Sequence, residues 1–272
     1  MNNKLYLLFL LILIPIILGW KLVDNAKKWR DFCEYDSIFG GVNSLGKCEN
    51  FVINTFNGSI KNHLPECYDK PYLNWKDIVP EFKILEDNYE IIKEEYMRLL
   101  KDLDNIPSYS DVDKNQIDLD KTTEKKWQTY VFKYYKDYNK ENCDKCPKTA
   151  ELLKKLPIDL AMFSIMEKGR KLVPHRGPSK SILRIHLGIE IPEKGATITV
   201  DGKNYNWKEG ELVIFDDTYE HSVDNPNGRR CVLFMDIQRD HIPNIYKKIL
   251  NCVGAQYFNN VNKEIEKQSK LN

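Results

Sequence analysis

The spacing of apolar residues changes near residue 161 and divides the chain into a helical part and a strand-rich part. Before this point, from Pro80 onward, apolar side chains recur at three- and four-residue steps, which predicts one face of an amphipathic helix. These apolar positions are Phe82, Leu85, Tyr89, Ile92, Tyr96 and Leu99. A second helix is predicted over 147–156, because Pro147 suits the first helical turn. The polar stretch 102–125 predicts a loop.

After residue 161 apolar and polar positions alternate, which predicts short β-strands. The predicted strands cover residues 161–166, 181–191, 211–215 and 230–238. The stretch 197–207 predicts a hairpin, because Asp201-Gly202 suits a tight two-residue turn. Several short strands joined by turns that carry glycine and proline are typical of a sandwich or barrel. A last helix is predicted over 243–250, and the tail 251–272 is predicted to fray.

The N-terminal residues predict a membrane anchor followed by a linker. Residues 5–20 carry no charge, and the run is slightly shorter than the ~20 residues that span a bilayer. No small-residue cleavage motif precedes Lys21, which favours an uncleaved anchor over 1–21 rather than a signal peptide. Basic residues after the run favour a cytosolic domain, whereas the sequon Asn57-Gly58-Ser59 favours the ER lumen, so both sides stay open. Residues 22–72 predict an irregular linker.

Composition narrows the class of protein without identifying it. The 272 residues suffice for one large domain or two small ones. A net charge of +1 gives no reason to expect a nucleic-acid partner. Cys143 and Cys146 form a CxxC pair, but no second pair accompanies it, so a disulfide or two plain thiols are favoured over a structural zinc site.

Polar side chains interrupt one face of the predicted strand 181–191. Because neighbouring side chains alternate between faces, Arg184 and His186 share one face while Leu183, Ile185 and Leu187 share the other. The aliphatic face predicts a core. The alternation alone leaves two possibilities for Arg184 and His186: they face water, or they line a cavity inside a small barrel or sandwich.

Two further histidines and an arginine lie at predicted strand ends, where β-proteins place ligands. His175 follows Pro174, and His221 follows the predicted strand 211–215. Imidazole is a ligand for iron as well as zinc. Arg230 opens an apolar strand, where a buried guanidinium is costly unless it meets an anion. A dicarboxylate would satisfy it through a bidentate pair.

Together these motifs resemble the catalytic domain of the aspartyl/asparaginyl β-hydroxylase family. The resemblance begins near Leu73, is strongest over 163–236 and covers a little over half of the chain. Its motifs, in chain order and near the family spacing, are Phe163-Ser-Ile-Met166, Pro174-His-Arg-Gly-Pro178, Leu183-Arg-Ile-His-Leu-Gly188, Trp207-Lys-Glu-Gly-Glu-Leu-Val-Ile-Phe-Asp-Asp217, Glu220-His221 and Arg230. The resemblance implies a double-stranded β-helix, a jelly-roll or cupin-like fold, with flanking helices over 73–250.

The resemblance also implies a role for each matching residue. His175 and His221 match the two iron ligands, and the acid of the usual two-histidine-one-carboxylate triad is absent because position 177 is glycine. Arg230 matches the arginine that pairs with the distal carboxylate of 2-oxoglutarate, and Ser164 matches the hydroxyl beside it. Arg184 and His186 match groups near the iron-chelating end of this cosubstrate. Their shared face would then point into the barrel.

The implied activity is hydroxylation of a C–H bond with iron(II), 2-oxoglutarate and O2. The expected substrate is the β-carbon of Asp or Asn in a protein. Two departures leave the substrate open: residues 22–72 cannot supply the helical repeat domain of the animal relatives, and Ala150 stands where they carry a second cysteine. Lipid acyl chains are therefore a second candidate substrate. A barrel that binds without turnover is a third possibility, although the intact set of His175, Arg184, His186, His221 and Arg230 argues against it.

Overall fold

Eleven strands form the centre of the computed structural model, which describes residues 54, 56–113, 126–135, 137–248 and 261–268. The strands are β1 (Tyr72–Leu73), β2 (Trp127–Tyr134), β3 (Asp137–Tyr138), β4 (Ile158–Met166), β5 (Arg170–His175), β6 (Ile182–Glu190), β7 (Thr197–Val200), β8 (Lys203–Asn206), β9 (Leu212–Phe215), β10 (His221–Asn225) and β11 (Arg230–Gln238). Every ladder between these strands is antiparallel.

The strands form two facing sheets whose order is that of a jelly roll. The larger sheet has the order β1-β9-β6-β11-β4-β2-β3, and the smaller has the order β5-β10-β7-β8. From β4 to β11 the chain therefore alternates between the sheets, because β4, β6, β9 and β11 lie in one and β5, β7, β8 and β10 in the other. The predicted mainly β architecture with flanking helices is confirmed.

The helical segments within 80–99 and 147–153 precede β4 in the chain and pack on the outer face of the larger sheet. The helical segments before β4 are Glu66–Tyr68, Trp75–Ile78, Pro80–Phe82, Lys83–Asp87, Tyr89–Leu99, Leu100–Asn105, Tyr109–Val112, Lys140–Lys145 and Pro147–Leu153. Further helical turns cover 56–61, 244–248 and 261–268. The predicted helix from Pro80 is thus present but broken into three pieces, and the predicted fraying of the tail is wrong for 261–268, where Val261 and Ile265 are buried.

The alternation in β6 separates two cores. Leu183, Ile185 and Leu187 are buried with the outer helices, in a cluster that contains Phe82, Ile92 and Tyr96. A second cluster lies between the sheets and contains Val213, Phe215, Val232, Phe234, Trp207, Leu172 and Val223. His186 contacts the rings of Phe215 and Phe234 in this second cluster. The polar face of β6 therefore points between the sheets, which settles the orientation that alternation alone left open.

The hairpin predicted from Asp201-Gly202 is present in the structure. The predicted hairpin is β7–β8, and its turn residues Asp201 and Gly202 have φ angles of 50° and 71°. Positive φ at both central positions is the geometry of the hairpin turn that Asp-Gly favours. In contrast, β5 and β10 were not predicted as strands, because they hold only two and one aliphatic side chains, and they carry the two histidines at their ends.

The predicted anchor over 1–21 lies outside the described residues. Among the residues that are described, no helix is both long and apolar enough to cross a bilayer.

Candidate metal and cosubstrate site

Two imidazoles meet at one end of the smaller sheet. His175 is the last residue of β5 and His221 the first of β10, and the antiparallel register pairs them directly. Their ring centroids lie 4.1 Å apart. Both side chains are buried, with His175 9% and His221 4% exposed. Residues 46 positions apart in sequence (221 − 175) are thus brought together by one strand pairing.

Backbone carbonyls fix the tautomer of both histidines. His175 Nδ1 lies 2.8 Å from the carbonyl oxygen of Val173, and His221 Nδ1 lies 3.0 Å from that of Tyr219. Because a carbonyl oxygen only accepts, each Nδ1 must carry the proton and donate it. Each Nε2 then keeps a lone pair, which is the arrangement of a metal-binding histidine whose second nitrogen is held by a carbonyl.

Burial keeps both rings neutral. It lowers the pKa of His175 to about 3, with a further contribution from neighbouring His221, and the pKa of His221 to about 4. Neutral imidazole is the form that binds a metal ion. The pair is therefore ready to bind a cation without first losing protons at neutral pH.

These lowered pKa values predict a loss of stability in acid. The unfolded histidines take up protons near pH 6.5, whereas the folded ones do so only near pH 3–4, so protonation favours unfolding as pH falls. We expect the melting temperature of metal-free protein to fall between about pH 6.5 and 4. His175→Gln should reduce this fall. A melting temperature independent of pH in this window would contradict the assignment of neutral rings.

A carboxylate from a different part of the chain fills the space beside Gly177. A Cβ atom at position 177 would overlap the carboxyl group of Asp217. The backbone holds the two positions together, because Gly177 N donates to Asp217 O at 2.7 Å. Asp217 is 3% exposed, and its Oδ1 has no hydrogen-bond partner among the described residues. The carboxyl group of Asp217, four residues before His221, thus occupies the space that a side chain at position 177 would take.

Arg184 is held by two carboxylates. Its Nε and Nη2 donate to the two oxygens of Asp236 at 2.9 and 3.0 Å, and its Nη1 lies 3.0 Å from Asp217 Oδ2. The guanidinium also lies over the ring of Phe234, 4.3 Å from the centroid. Burial raises the pKa of Asp217, and Arg184 opposes that rise. Arg184 therefore orients Asp217, and its predicted contact with a cosubstrate stays a prediction.

Arg230 lies at the other end of the inner face and lacks an acidic partner in the described part of the chain. It is 1% exposed, and its Nη1 donates only long bonds to Ser164, 3.4 Å to Oγ and 3.5 Å to the carbonyl oxygen. Its guanidinium carbon lies 4.1 Å from the ring centroid of Trp207, and its Nε has no partner. Burial lowers the pKa of Arg230 to about 9. A buried guanidinium in this state is a strong candidate to bind a carboxylate.

His186 lies between these two ends. Its ring is 4% exposed and packs against Phe215, Phe234 and Trp207, and neither ring nitrogen has a hydrogen-bond partner among the described residues. Burial lowers its pKa well below the usual range, and nearby Arg230 acts in the same direction. The ring is thus a neutral polar group whose nitrogens are free to meet a ligand.

Strand register gives the order of these groups. On β11 the inward positions run from Asp236, paired with Arg184, through Phe234, paired with His186, to Arg230. The ring of Phe215, which pairs with Arg184 in register, lies 5.9 Å from His221. The histidine pair therefore adjoins the Arg184 end. From Phe234 to Arg230 is four residues, or about 13 Å of strand.

The residues present fit a metal ion held by two imidazoles and a small diacid. His175 and His221 each keep a lone pair on Nε2, and Asp217 Oδ1, both ring nitrogens of His186 and Arg230 Nε have no hydrogen-bond partner among the described residues. Among the described residues no group of three or more His, Cys, Asp or Glu side chains converges as a metal site. The other coordination positions would have to come from water and ligand.

Sequence reasoning gave no role to three residues that shape this site. Asp217 is the last residue of the motif that begins at Trp207, but nothing in the sequence shows that its carboxyl group lies beside Gly177. Asp236 shares the inward parity of Arg230 on a predicted strand, and that parity could have revealed it. Trp207 was also only part of a motif. CxxC residues Cys143 and Cys146 are both buried free thiols, one of the two states left open by the sequence.

Comparison with known proteins gives the family. The family model described as aspartyl/asparaginyl beta-hydroxylase matches residues 86–240, which is more than half of the chain and contains every residue of the site. The chain therefore belongs to the aspartyl/asparaginyl beta-hydroxylase family, a family of hydroxylases.

Three relatives show how far the similarity extends. Ornithine lipid ester-linked acyl 2-hydroxylase of Rhizobium tropici is 33% identical over 176 residues, covering 63% of this chain and 60% of that protein. Aspartyl/asparaginyl beta-hydroxylase of Homo sapiens is 33% identical over 118 residues, covering 41% and 16%. Aspartate beta-hydroxylase domain-containing protein 2 of Mus musculus is 26% identical over 203 residues, covering 71% and 57%. The chain thus spans at most 60% of these relatives.

Proposed function

We propose that this protein is an iron(II)- and 2-oxoglutarate-dependent dioxygenase that hydroxylates a C–H bond. The observation that carries the proposal is the pair of neutral imidazoles, 4.1 Å apart, whose Nδ1 atoms are both held by carbonyls. The buried Arg230, which has no acidic partner in the described part of the chain, supplies the second half of the site.

Each residue then has a task. His175 and His221 would hold iron(II) through Nε2, and Arg230 with Ser164 would bind the distal carboxylate of 2-oxoglutarate. Both ring nitrogens of His186 lack a partner among the described residues, so one of them would form a hydrogen bond with the keto-acid end of 2-oxoglutarate. Asp217, oriented by Arg184, would face a water bound to the metal. Bound iron, 2-oxoglutarate and O2 supply the oxidising chemistry, while the buried aromatic walls exclude water.

The substrate is proposed in two alternatives. The family name favours the β-carbon of Asp or Asn in a protein substrate. One observation favours a lipid acyl chain instead: the match to the lipid acyl 2-hydroxylase covers 60% of that protein, against 16% of the human protein hydroxylase. We also propose that the apolar run 5–20 is a single-pass membrane anchor, with the hydroxylase domain on either the lumenal or the cytosolic side. Such an anchor is compatible with a protein substrate and with a lipid substrate.

An anaerobic titration tests the chemistry. Full-length protein would be loaded with iron(II) and titrated with 2-oxoglutarate, while visible absorption is recorded. We expect a charge-transfer band from the bidentate chelate that saturates with cosubstrate and is absent in His221→Ala. If neither the band nor any binding of 2-oxoglutarate is seen at millimolar concentration, the result would instead favour a non-catalytic barrel that binds some other ligand without turnover.

Mass spectrometry then separates the substrates. Under O2, an Asp- and Asn-containing peptide library and a set of acyl lipids would each be screened for a gain of one oxygen atom. Oxygen in the peptide supports the first alternative, and oxygen in the acyl chain supports the second. Succinate formation without either product would leave the chemistry intact and reject both substrate classes.

A further inference from the structure

A tyrosine links one metal-site histidine to the segment 56–71, which precedes the family-matched region. Tyr219 accepts the Nδ1 proton of His221 on its backbone carbonyl at 3.0 Å. The hydroxyl of the same tyrosine donates to Asp69, at 3.1 Å to Oδ1 and 3.3 Å to the carbonyl oxygen. Asp69 is thus two links away from the imidazole. Both links are directional, so the position of Asp69 constrains the orientation of the ring.

Buried charges fix Asp69 to the loops that flank both histidines. Lys180 Nζ lies 2.8 Å from Asp69 Oδ1 and 2.8 Å from Asp216 Oδ2, and its side chain is only 7% exposed. Arg239 Nη2 also pairs with Asp216, its Nε donates to Lys180 O at 2.7 Å, and its Nη1 donates to Tyr68 O at 2.9 Å. Lys180, Arg239 and Asp216 thus form a buried cluster with Asp69, which also pairs with the exposed Lys61 at 3.0 Å. Removing one partner from a buried cluster leaves an uncompensated charge and is destabilising.

A second contact reaches the loop that follows His175. The side chain of Asn57 accepts from Lys180 N at 2.9 Å and donates to Pro178 O at 3.2 Å. The helical segment that carries Asn57 is itself anchored, because Ile60 is fully buried with Ile242 and Tyr246. The segment 56–71 therefore contacts the loop after His175 through Asn57, and it contacts the loop before His221 through Asp69.

We propose that the segment 56–71 is a positioning element of the metal site, and that Asp69 and Tyr219 are positioning residues for His221. This inference rests on the proposed function, because it takes His221 to be a metal ligand. The segment is more than a linker: it sets the angle at which Nε2 of His221 meets the cation. Groups behind a metal-binding histidine commonly change metal affinity by ~10–100-fold when they are removed. The hydroxyl of Tyr219 and its partner Asp69 act on the imidazole only through the carbonyl of Tyr219, so removing either should have an effect at or below the low end of this range.

Cobalt(II) affinity of the full-length protein tests the proposal without turnover. We expect Tyr219→Phe to weaken Co(II) binding about threefold to tenfold and Asp69→Ala about tenfold, with altered d–d absorption in both. Asp69→Asn keeps an oxygen acceptor for Tyr219 and should recover part of the affinity. Each titration would be paired with a melting curve.

Tyr96→Phe is the matched control. Its hydroxyl donates to Glu190 at 2.6 Å, so the variant also deletes a tyrosine–carboxylate bond, but on the outer helix Tyr89–Leu99. We expect it to lower the melting temperature and leave Co(II) affinity unchanged. Wild-type affinity in Tyr219→Phe, or the same loss of affinity in Tyr96→Phe as in Tyr219→Phe, would overturn the positioning role and leave the proposed function standing. Failure of the wild type itself to bind Co(II) at millimolar concentration would overturn the metal site.

Discussion

Arg230→Ala is expected to raise the 2-oxoglutarate concentration needed for half-maximal turnover by roughly 10- to 150-fold. The reason is the isolation of this guanidinium: it is 1% exposed, its Nε has no partner, and only two long bonds to Ser164 hold its Nη1. A carboxylate that binds there gains charge-assisted hydrogen bonds worth about 1.5–3 kcal/mol, and each 1.4 kcal/mol is a factor of ten. The measurement is initial rate of succinate formation against 2-oxoglutarate at saturating iron(II).

Arg229→Ala is the matched control for this variant. Arg229 is the preceding residue, but its Nε and Nη2 pair with Glu190 at 2.8 and 3.1 Å on the opposite face of the strand. Deleting it removes an equal charge one position away, so a general loss of positive potential would affect both variants alike. We expect Arg229→Ala to keep the wild-type cosubstrate requirement. An equal requirement in Arg230→Ala and wild type would show that the distal carboxylate binds elsewhere.

Local patterns in the sequence predicted most of the strands of the larger sheet and which side chains share a face of a strand. Alternation placed Arg184 and His186 on one face, and the structure puts that face between the sheets. Arg230 was predicted to open an apolar strand, and it is the first residue of β11. These inferences succeeded because each depends only on the period of side chains within one strand.

Local patterns could not predict the contacts between segments that are distant in the sequence. The strands that carry His175 and His221 hold only two and one aliphatic side chains, so their pairing follows only from the completed sheet. Residues 22–72 were interpreted as an irregular linker, yet Asp69 and Asn57 reach loops more than a hundred residues away. A buried ion cluster has no local period, because its members come from separate elements that only tertiary packing brings together.

Arg184 illustrates how tertiary packing changes a predicted role. Alone on its strand it is a cation available to a ligand, but in the structure three of its nitrogens meet Asp236 and Asp217. The guanidinium thus acts first on the protein, by fixing the carboxylate that occupies the space beside Gly177. The carboxylate beside Gly177 and the doubly paired arginine are thus two parts of one arrangement.

That arrangement makes Gly177→Ala a severe substitution. A methyl group at position 177 would overlap the carboxyl group of Asp217, which Arg184 holds in place at 3.0 Å. Overpacking a buried site usually costs about 1–3 kcal/mol, and here the yielding group stands beside the histidine pair. We expect a lower melting temperature and at least about tenfold weaker Co(II) binding, since groups around metal ligands have effects of this size. Gly58→Ala is the control, because a Cβ there meets nothing within 4 Å.

Exchanging the residues at positions 177 and 217 tests whether Co(II) binding depends on where the carboxylate lies in space or on which position of the chain carries it. Gly177→Asp combined with Asp217→Gly removes the overlap and puts a carboxylate back beside the histidines, from the position where the usual triad carries it. We expect each single variant to bind Co(II) weakly and the double variant to bind it at least as well as wild type. The non-additive part of the cycle measures the coupling between the two positions. Additive losses in the double variant would show that Asp217 contributes nothing to the cation through the space it fills.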